Sequence, residues 1–140
     1  MAPVIDLPPY VPAACIVQSA ADYSEPPELL LAMIKVESNG TATSHVNANG
    51  TVDYGISMIN SQSWLPRLAQ QYGINPQSLV TNPCQSIRAM AYIVRVEQDG
   101  CDGNLWCGVG RYHSRTPSKL KDYVVKVWNA YVKMVQTGQF

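Results

Sequence analysis

The sequence predicts a single α+β domain that is mostly helical and contains one small, irregular β-hairpin. Apolar residues recur at helical spacing in several segments, and Pro or Asn-Pro often starts such a segment while Gly often ends it. Residues 40–60 are instead rich in short polar residues. The length of 140 residues suits one domain with one core. We assign residues 1–11 to a Pro-rich extended arm and residues 12–140 to the domain.

The first helix is predicted from residue 12 to about residue 23, and the second follows Pro26. In the second helix Leu30, Met33, Ile34 and Glu37 follow the spacing of one helix face. Burial and the negative end of the helix dipole both disfavour a carboxylate, so they should raise the pKa of Glu37. General-acid catalysis requires a glutamate that is protonated near neutral pH. We therefore predict that Glu37 is a catalytic acid/base.

The hairpin and the later helices follow from turn and capping signals. Asn49-Gly50 predicts a type I′ turn between residues 44–46 and 51–54. Ser61 or Ser63 can cap a helix that runs to about residue 71. Pro, Asn-Pro and Gly signals, together with apolar periodicity, predict the remaining helices at residues 76–80, 83–99, 104–112 and 117–137.

The four cysteines indicate an oxidising compartment. They form no C-x-x-C pair, and the two histidines lie far apart, which argues against a metal site. Four cysteines allow three pairings. We favour Cys101–Cys107, which would close a short loop, and Cys15–Cys84, which would tie two helices together. Reduced thiols in a cytosolic protein are the alternative.

Composition excludes several classes of partner. Net charge is zero, so bulk electrostatics do not favour nucleic acid or an anionic membrane. No apolar run is long enough to span a membrane, and no cofactor is indicated. Residues 1–9 lack the basic and apolar regions of a signal peptide. We therefore expect residue 1 to lie at a mature N-terminus from which an export signal has been removed. We expect the protein to be periplasmic or secreted.

Motifs for other chemistries are missing. Residues 55–59 lack the last Gly of a G-x-S-x-G elbow, and there is no H-E-x-x-H or phosphate-binding Gly-rich loop. Carboxylate chemistry remains, and Asp53 is the candidate second acid beside Glu37. The favoured alternative for Asp53 is a turn residue that bonds its own backbone. One acid without an obvious partner suggests that the substrate supplies the nucleophile, since glycosidases usually use two carboxylates.

The order of several motifs is similar to that of a known family. The chain resembles the lytic transglycosylase (SLT) domain of the goose-type lysozyme superfamily, especially the small enzymes that accompany type IV secretion, conjugation and pilus systems. The motifs that carry this resemblance are Glu37-Ser38, the segment 49–60 with its Gly-x-x-x-Ile-Asn, Trp64, Asn82-Pro83-Cys84 and Arg111-Tyr112-His113.

The resemblance covers residues 12–115 and implies a lysozyme-like fold. It implies cleavage of the MurNAc–GlcNAc β-1,4 bond of peptidoglycan without water. Glu37 would protonate the glycosidic oxygen and then accept the proton of the muramyl 6-hydroxyl, which gives a 1,6-anhydro product. The expected partners are glycan strands and proteins of a secretion or pilus apparatus.

The resemblance also suggests roles for residues around the acid. Ser38 would support the glutamate or contact sugar, and Asn60 would line the cleft or brace its loop. Tyr112 would donate a hydrogen bond near the acid, and Ser57 and Met58 would belong to the substrate-binding segment. The alternatives are helix capping and turn bonding for Ser38 and Asn60, and a half-buried core position for Tyr112.

Two positions depart from the family pattern. Met58 stands where the family commonly has glutamine, and His113 where it commonly has asparagine; His113 is either a cleft residue or, as we favour, a surface imidazole. Two other functions stay open. One is a muramidase in which Asp53 positions water, and the other is an inactive glycan-binding module, which Met58 would favour.

Overall fold

The computed structural model describes residues 5–140, which form seven helices and a three-stranded sheet. The predicted mostly helical α+β class is confirmed. Residues 1–4 of the predicted arm lie outside the described residues. The helices are α1 Ala13–Tyr23, α2 Pro27–Ser38, α3 Leu65–Tyr72, α4 Pro76–Thr81, α5 Pro83–Asp99, α6 Leu105–His113 and α7 Pro117–Thr137. The strands are β1 Ser44–Val46, β2 Val52–Tyr54 and β3 Ile59–Asn60.

Helix α2 runs through the main core and packs against α1, α5 and α7. Pro27 occupies its first position, and Asn39 ends it in the left-handed conformation with φ 53°. Leu30, Met33 and Ile34 are fully buried, as their spacing predicts. Burying each of these side chains stabilises the fold by roughly 2 kcal/mol. These side chains therefore anchor α2 in the core directly before its last turn.

The sheet is antiparallel, in the order β1-β2-β3. The predicted type I′ turn is wrong, because among residues 47–51 only Gly50 has a positive φ, at 84°. The N–H of Gly50 donates to the carbonyl of Asn47 at 3.0 Å, and five residues separate β1 from β2. This is a tight turn followed by a left-handed glycine, and a type I′ turn would need two left-handed residues. Strand β3 was not predicted.

Gly55, directly after β2, allows a close approach to α4. Its φ is 80°, and a side chain there would overlap the carbonyl oxygen of Leu79.

The next helix, α3, begins later than predicted, at Leu65, and has no side-chain cap. The N–H groups of Gln62 and Ser63 donate to the side chain of Asn60, so this asparagine orders the approach to α3.

Two disulfides tie the fold together, and they are the two pairings favoured from the sequence. Cys15–Cys84 joins α1 to α5 across 69 positions of sequence, and Cys101–Cys107 closes the loop before α6. In the chain-entropy model a crosslink of the longer kind contributes about 4 kcal/mol, because it restricts the unfolded chain.

The described part of the predicted arm packs on the C-terminal end of the chain. The N–H of Asp6 donates to the carbonyl of Gly138 at 2.8 Å, and Val11 is buried in the main core. The division at residues 11 and 12 stays a prediction. Among residues 5–140, no helix combines the length and the apolar character that a membrane span needs.

Candidate active site

Glu37 lies in the last turn of α2, where the helical body meets the sheet. Its carboxyl group borders a cleft with a volume of about 410 Å³. Side chains that line this cleft include Glu37, Asp53, Asn60, Trp64, Tyr112 and Lys119. They come from α2, β2, β3, the residue before α3, α6 and α7. The predicted acid therefore faces an open, mainly polar groove.

The environment of Glu37 favours its protonated form. Burial raises the pKa of Glu37 from its ordinary 4.5 to about 8, the hydroxyl of Tyr123 lowers it, and the charge of Asp53 raises it. The Tyr123 hydroxyl donates to Oε2 of Glu37 at 3.1 Å. A pKa of about 8 leaves most of the carboxyl groups protonated at neutral pH. Glu37 can thus donate a proton and afterwards accept one.

Tyr123 is a site residue that the sequence did not reveal. It lies in α7 and is only 4% exposed, and at helical spacing in the sequence it is indistinguishable from the core residues of that helix. The imidazole of His113 stacks on its ring, with the centroids 4.7 Å apart and the planes 11° apart. His113 is exposed, as expected, yet it also borders the cleft. Partial burial and the nearby charge of Lys126 lower the pKa of His113, which favours the neutral ring.

Tyr112 lines the cleft but does not hold the acid. Its hydroxyl donates to the carbonyl of Ser57 at 2.6 Å, which fixes α6 against the segment between β2 and β3. Burial raises the pKa of Tyr112, and the charges of Glu37 and Asp53 add to this effect. The hydroxyl that donates to Glu37 belongs to Tyr123, whereas Tyr112 donates to a backbone carbonyl, and the site role expected for Tyr112 stays a prediction.

The two predicted serines have supporting contacts. Ser38 Oγ donates to the carbonyl of Ile56 at 2.6 Å and accepts from the N–H of Gly40 at 3.2 Å, which ties the end of α2 to the segment after β2. Ser57 is fully buried, and its Oγ donates to the carbonyl of Ser86 at 2.8 Å. The Ser57 side chain has no exposed surface and supports its segment through Ser86, and a contact of this residue with substrate stays a prediction.

Asp53 lies in the middle strand and faces the same cleft as Glu37. Its two carboxylate oxygens accept from the side-chain amides of Asn60 at 2.9 Å and Asn47 at 3.1 Å. It is not the turn residue that the favoured alternative described. These amide donors hold the Asp53 carboxylate in a fixed orientation, and its charge acts on Glu37.

Asn60 and Met58 both border the cleft, and the substrate contacts expected of them stay predictions. The amide nitrogen of Asn60 donates to Asp53 and to Thr51, and its oxygen accepts from two backbone N–H groups, so its hydrogen-bonding capacity is largely used in bracing the loop. Met58 has a left-handed backbone, with φ 51°. Trp64 and Lys119 add an aromatic face and a positive charge to the cleft wall.

The donors in the cleft suit a polar organic substrate. Among residues 5–140, no three His, Cys, Asp or Glu side chains come close enough together to hold a metal ion. The groups that face the cleft are a carboxyl with a raised pKa, a fixed carboxylate, amides and aromatic rings. Such a set can bind sugar hydroxyl and acetamido groups and can exchange a proton with a glycosidic oxygen.

The fold and the acid in its cleft define a lysozyme-like α+β domain. The family model described as "Transglycosylase SLT domain" matches residues 14–125. The chain belongs to this family.

The chain is also similar to bacterial proteins of two kinds. The chain is 30% identical to Protein IpgF of Shigella sonnei over 132 residues, which are 90% of this chain and 85% of that protein. Protein IpgF of Shigella flexneri is 29% identical over 127 residues, 87% of this chain and 82% of the relative. An X polypeptide of Escherichia coli is 29% identical over 102 residues, which cover 73% of this chain and 59% of that protein.

Proposed function

We propose that this protein is a peptidoglycan lytic transglycosylase that cleaves the MurNAc–GlcNAc β-1,4 bond and leaves a 1,6-anhydro-MurNAc end. The observation that carries the proposal is the carboxyl of Glu37, which faces the cleft, accepts from Tyr123 and has a pKa raised to about 8. Membership of the SLT family agrees with this chemistry.

The proton of Glu37 serves both halves of the reaction. Glu37 gives its proton to the glycosidic oxygen as the bond from that oxygen to the anomeric carbon breaks. The muramyl 6-oxygen then forms a bond to the anomeric carbon and transfers its own proton to Glu37. The acid is regenerated, no water is consumed, and the second step needs no further carboxylate.

The contacts of Asp53 favour a supporting role. Both of its oxygens already accept amide hydrogen bonds, and its charge raises the pKa of Glu37. The runner-up function is a muramidase in which Asp53 orients a water molecule. Its specific support is that Asp53 faces the same cleft as Glu37.

Digestion of purified sacculi tests the proposal. Wild type should release muropeptides with 1,6-anhydro ends, and Glu37→Gln should release none, because its amide cannot donate a proton to the leaving oxygen. Glu28→Gln, in the first turn of the same helix, is the matched control and should keep its activity. Mass analysis separates the products, since a reducing end is heavier than an anhydro end by one water.

Each other outcome has a definite meaning. Reducing ends from wild type would identify a muramidase. Binding to sacculi without any release would identify an inactive glycan-binding module, the function that Met58 favours. Unchanged release by Glu37→Gln would refute the assignment of the acid.

We further propose that the protein acts outside the cytoplasm, in the periplasm or after secretion, where it opens the wall locally for a secretion, conjugation or pilus apparatus. The two disulfides support an oxidising compartment. The substrate of the SLT family also lies outside the cytoplasm. Complementation of a deletion strain tests the apparatus role: wild type should restore assembly and Glu37→Gln should not. Normal assembly in the deletion strain would contradict it.

A further inference from the structure

A second cavity adjoins the cleft and has its own chemical character. Its volume is about 390 Å³, and it shares a wall with the cleft that includes Trp64, Tyr112 and His113. A ligand could therefore extend from one into the other. Beyond this shared wall, the second cavity is lined by Arg67, Arg111, Arg115 and Glu97. We call it the arginine lobe.

The arginine lobe has an excess of positive charge, although the whole chain has none. Three guanidinium groups face one carboxylate, that of Glu97. Glu97 is 6% exposed, and both of its oxygens contact Nη2 of Arg115, at 3.1 and 3.3 Å. The charge of Glu97 thus offsets one arginine, and two positive charges remain for a ligand.

The two other arginines are partly oriented by their neighbours. The guanidinium of Arg67 lies 4.8 Å from the ring centroid of Trp64, an aromatic residue that also borders the cleft. Nη1 of Arg111 is 3.5 Å from the carbonyl of Gly100. Partial orientation lowers the entropy lost when a guanidinium binds a carboxylate, and its planar fork suits that group.

In a peptide-bearing strand the lactyl carboxyl of the muramyl residue forms the amide bond to the stem peptide, so the sugars themselves offer only hydroxyl and acetamido groups and no negative charge. The stem peptides attached to the muramyl residues carry free carboxylates. We propose that the arginine lobe binds the carboxylates of a stem peptide whose muramyl residue lies in the cleft. This inference rests on the proposed function and specifies its substrate as peptide-bearing glycan strands rather than bare ones.

Binding measurements on matched sacculi test this inference apart from catalysis. The full chain carrying Glu37→Gln is used throughout, so that no strand is cut. One batch of purified sacculi keeps its carboxylates, and in the other they are converted to amides. Adding Arg67→Gln and Arg111→Gln should weaken binding to the first batch by about threefold to tenfold and leave binding to the second unchanged. Raising the salt concentration should reduce the difference in binding between the parent and the arginine variant on the first batch.

Control variants separate a lost charge contact from a damaged fold. Arg88→Gln removes an arginine that lines neither cavity and pairs with Asp22, and it should bind both batches like its parent. Arg111→Gln alone should show part of the effect, and it leaves the packing of Arg67 on Trp64 intact. Arg115 is kept, because its removal would leave buried Glu97 without its cation.

The outcomes distinguish this inference from the proposed function. Equal binding by all variants, or an equal loss on both batches, would overturn the role of the arginine lobe while wild-type cleavage stands. Absence of cleavage by wild type would overturn the proposed function. Even then, if the arginine variant lost binding only to the carboxylate-bearing batch, the lobe would be shown to bind carboxylates.

Discussion

Replacing Glu37 with glutamine should stabilise the protein at alkaline pH while it removes catalysis. The pKa of Glu37 is about 8 in the folded protein, against an ordinary value of 4.5. Below pH 4.5 both folded and unfolded chains hold the proton. Between pH 4.5 and 8 the unfolded chain releases the proton and the folded chain keeps it, so the free energy of unfolding falls as pH rises. Glutamine has no proton to release and avoids this loss.

The size of the effect follows from the gap between the two pKa values. Each pH unit in this window lowers the free energy of unfolding by about 1.4 kcal/mol. The gap for Glu37 therefore corresponds to at most about 5 kcal/mol at pH 8 and above, and to nothing at pH 4. Glutamine can still accept from the Tyr123 hydroxyl through its amide oxygen, so the variant keeps that contact.

Urea unfolding at pH 4, 6 and 8, with both disulfides oxidised, measures the difference. Burial also raises the pKa of Glu25, to about 7, so the wild-type slope has at least two contributors. The difference between wild type and Glu37→Gln isolates the contribution of Glu37. Glu28→Gln should follow the wild-type pH dependence. A constant difference between wild type and Glu37→Gln from pH 4 to pH 8 would refute the buried-acid explanation.

Three further substitutions test other contacts. Tyr123→Phe removes a hydrogen bond that lowers the pKa of Glu37, so the alkaline limb of the pH–rate profile should move up by about one pH unit or less; a downward shift would contradict this. Asp53→Asn removes a charge that raises the same pKa, so that limb should move down while mass analysis still finds anhydro products; complete loss of activity would favour the muramidase. Gly55→Ala should lower the free energy of unfolding in urea by more than about 3 kcal/mol, and the control Gly50→Ala by about 1 kcal/mol. Both glycines have a positive φ, but only Gly55 lacks space for a side chain. Equal losses in the two variants would show that φ alone matters.

The sequence predicts most helices because their signals are local. In α2, the spacing of Leu30, Met33 and Ile34 and the flanking Pro27 and Asn39 all lie within one segment, and the structure agrees with them. Strand β3 has only two residues, too few to show an alternating pattern. It exists because residues 59 and 60 pair with β2, and that pairing depends on the turn at Gly55 rather than on strand propensity.

The position of Glu37 is predictable for the same reason, but its partner is not. Tyr123 is 86 positions away in sequence, and its hydroxyl reaches the acid only because α7 packs against α2. A tyrosine within an apolar face gives no sign of where its hydroxyl points. The burial of Ser57 is equally hidden, since its contact with Ser86 depends on how α5 meets the segment after β2.

The two groups that act on Glu37 in opposite directions explain how one acid can serve two steps. Proton donation needs a protonated carboxyl, and proton acceptance needs a carboxylate that is basic enough to take the proton back. Burial alone would raise the pKa of Glu37 further. A higher pKa makes Glu37 a weaker acid, so it would give up its proton less readily in the first step. Burial is the main cause of the raised pKa of Glu37; the Tyr123 hydroxyl limits the rise, and the Asp53 charge, held by two amides, adds to it. Removing either group should therefore impair a different half of the same cycle.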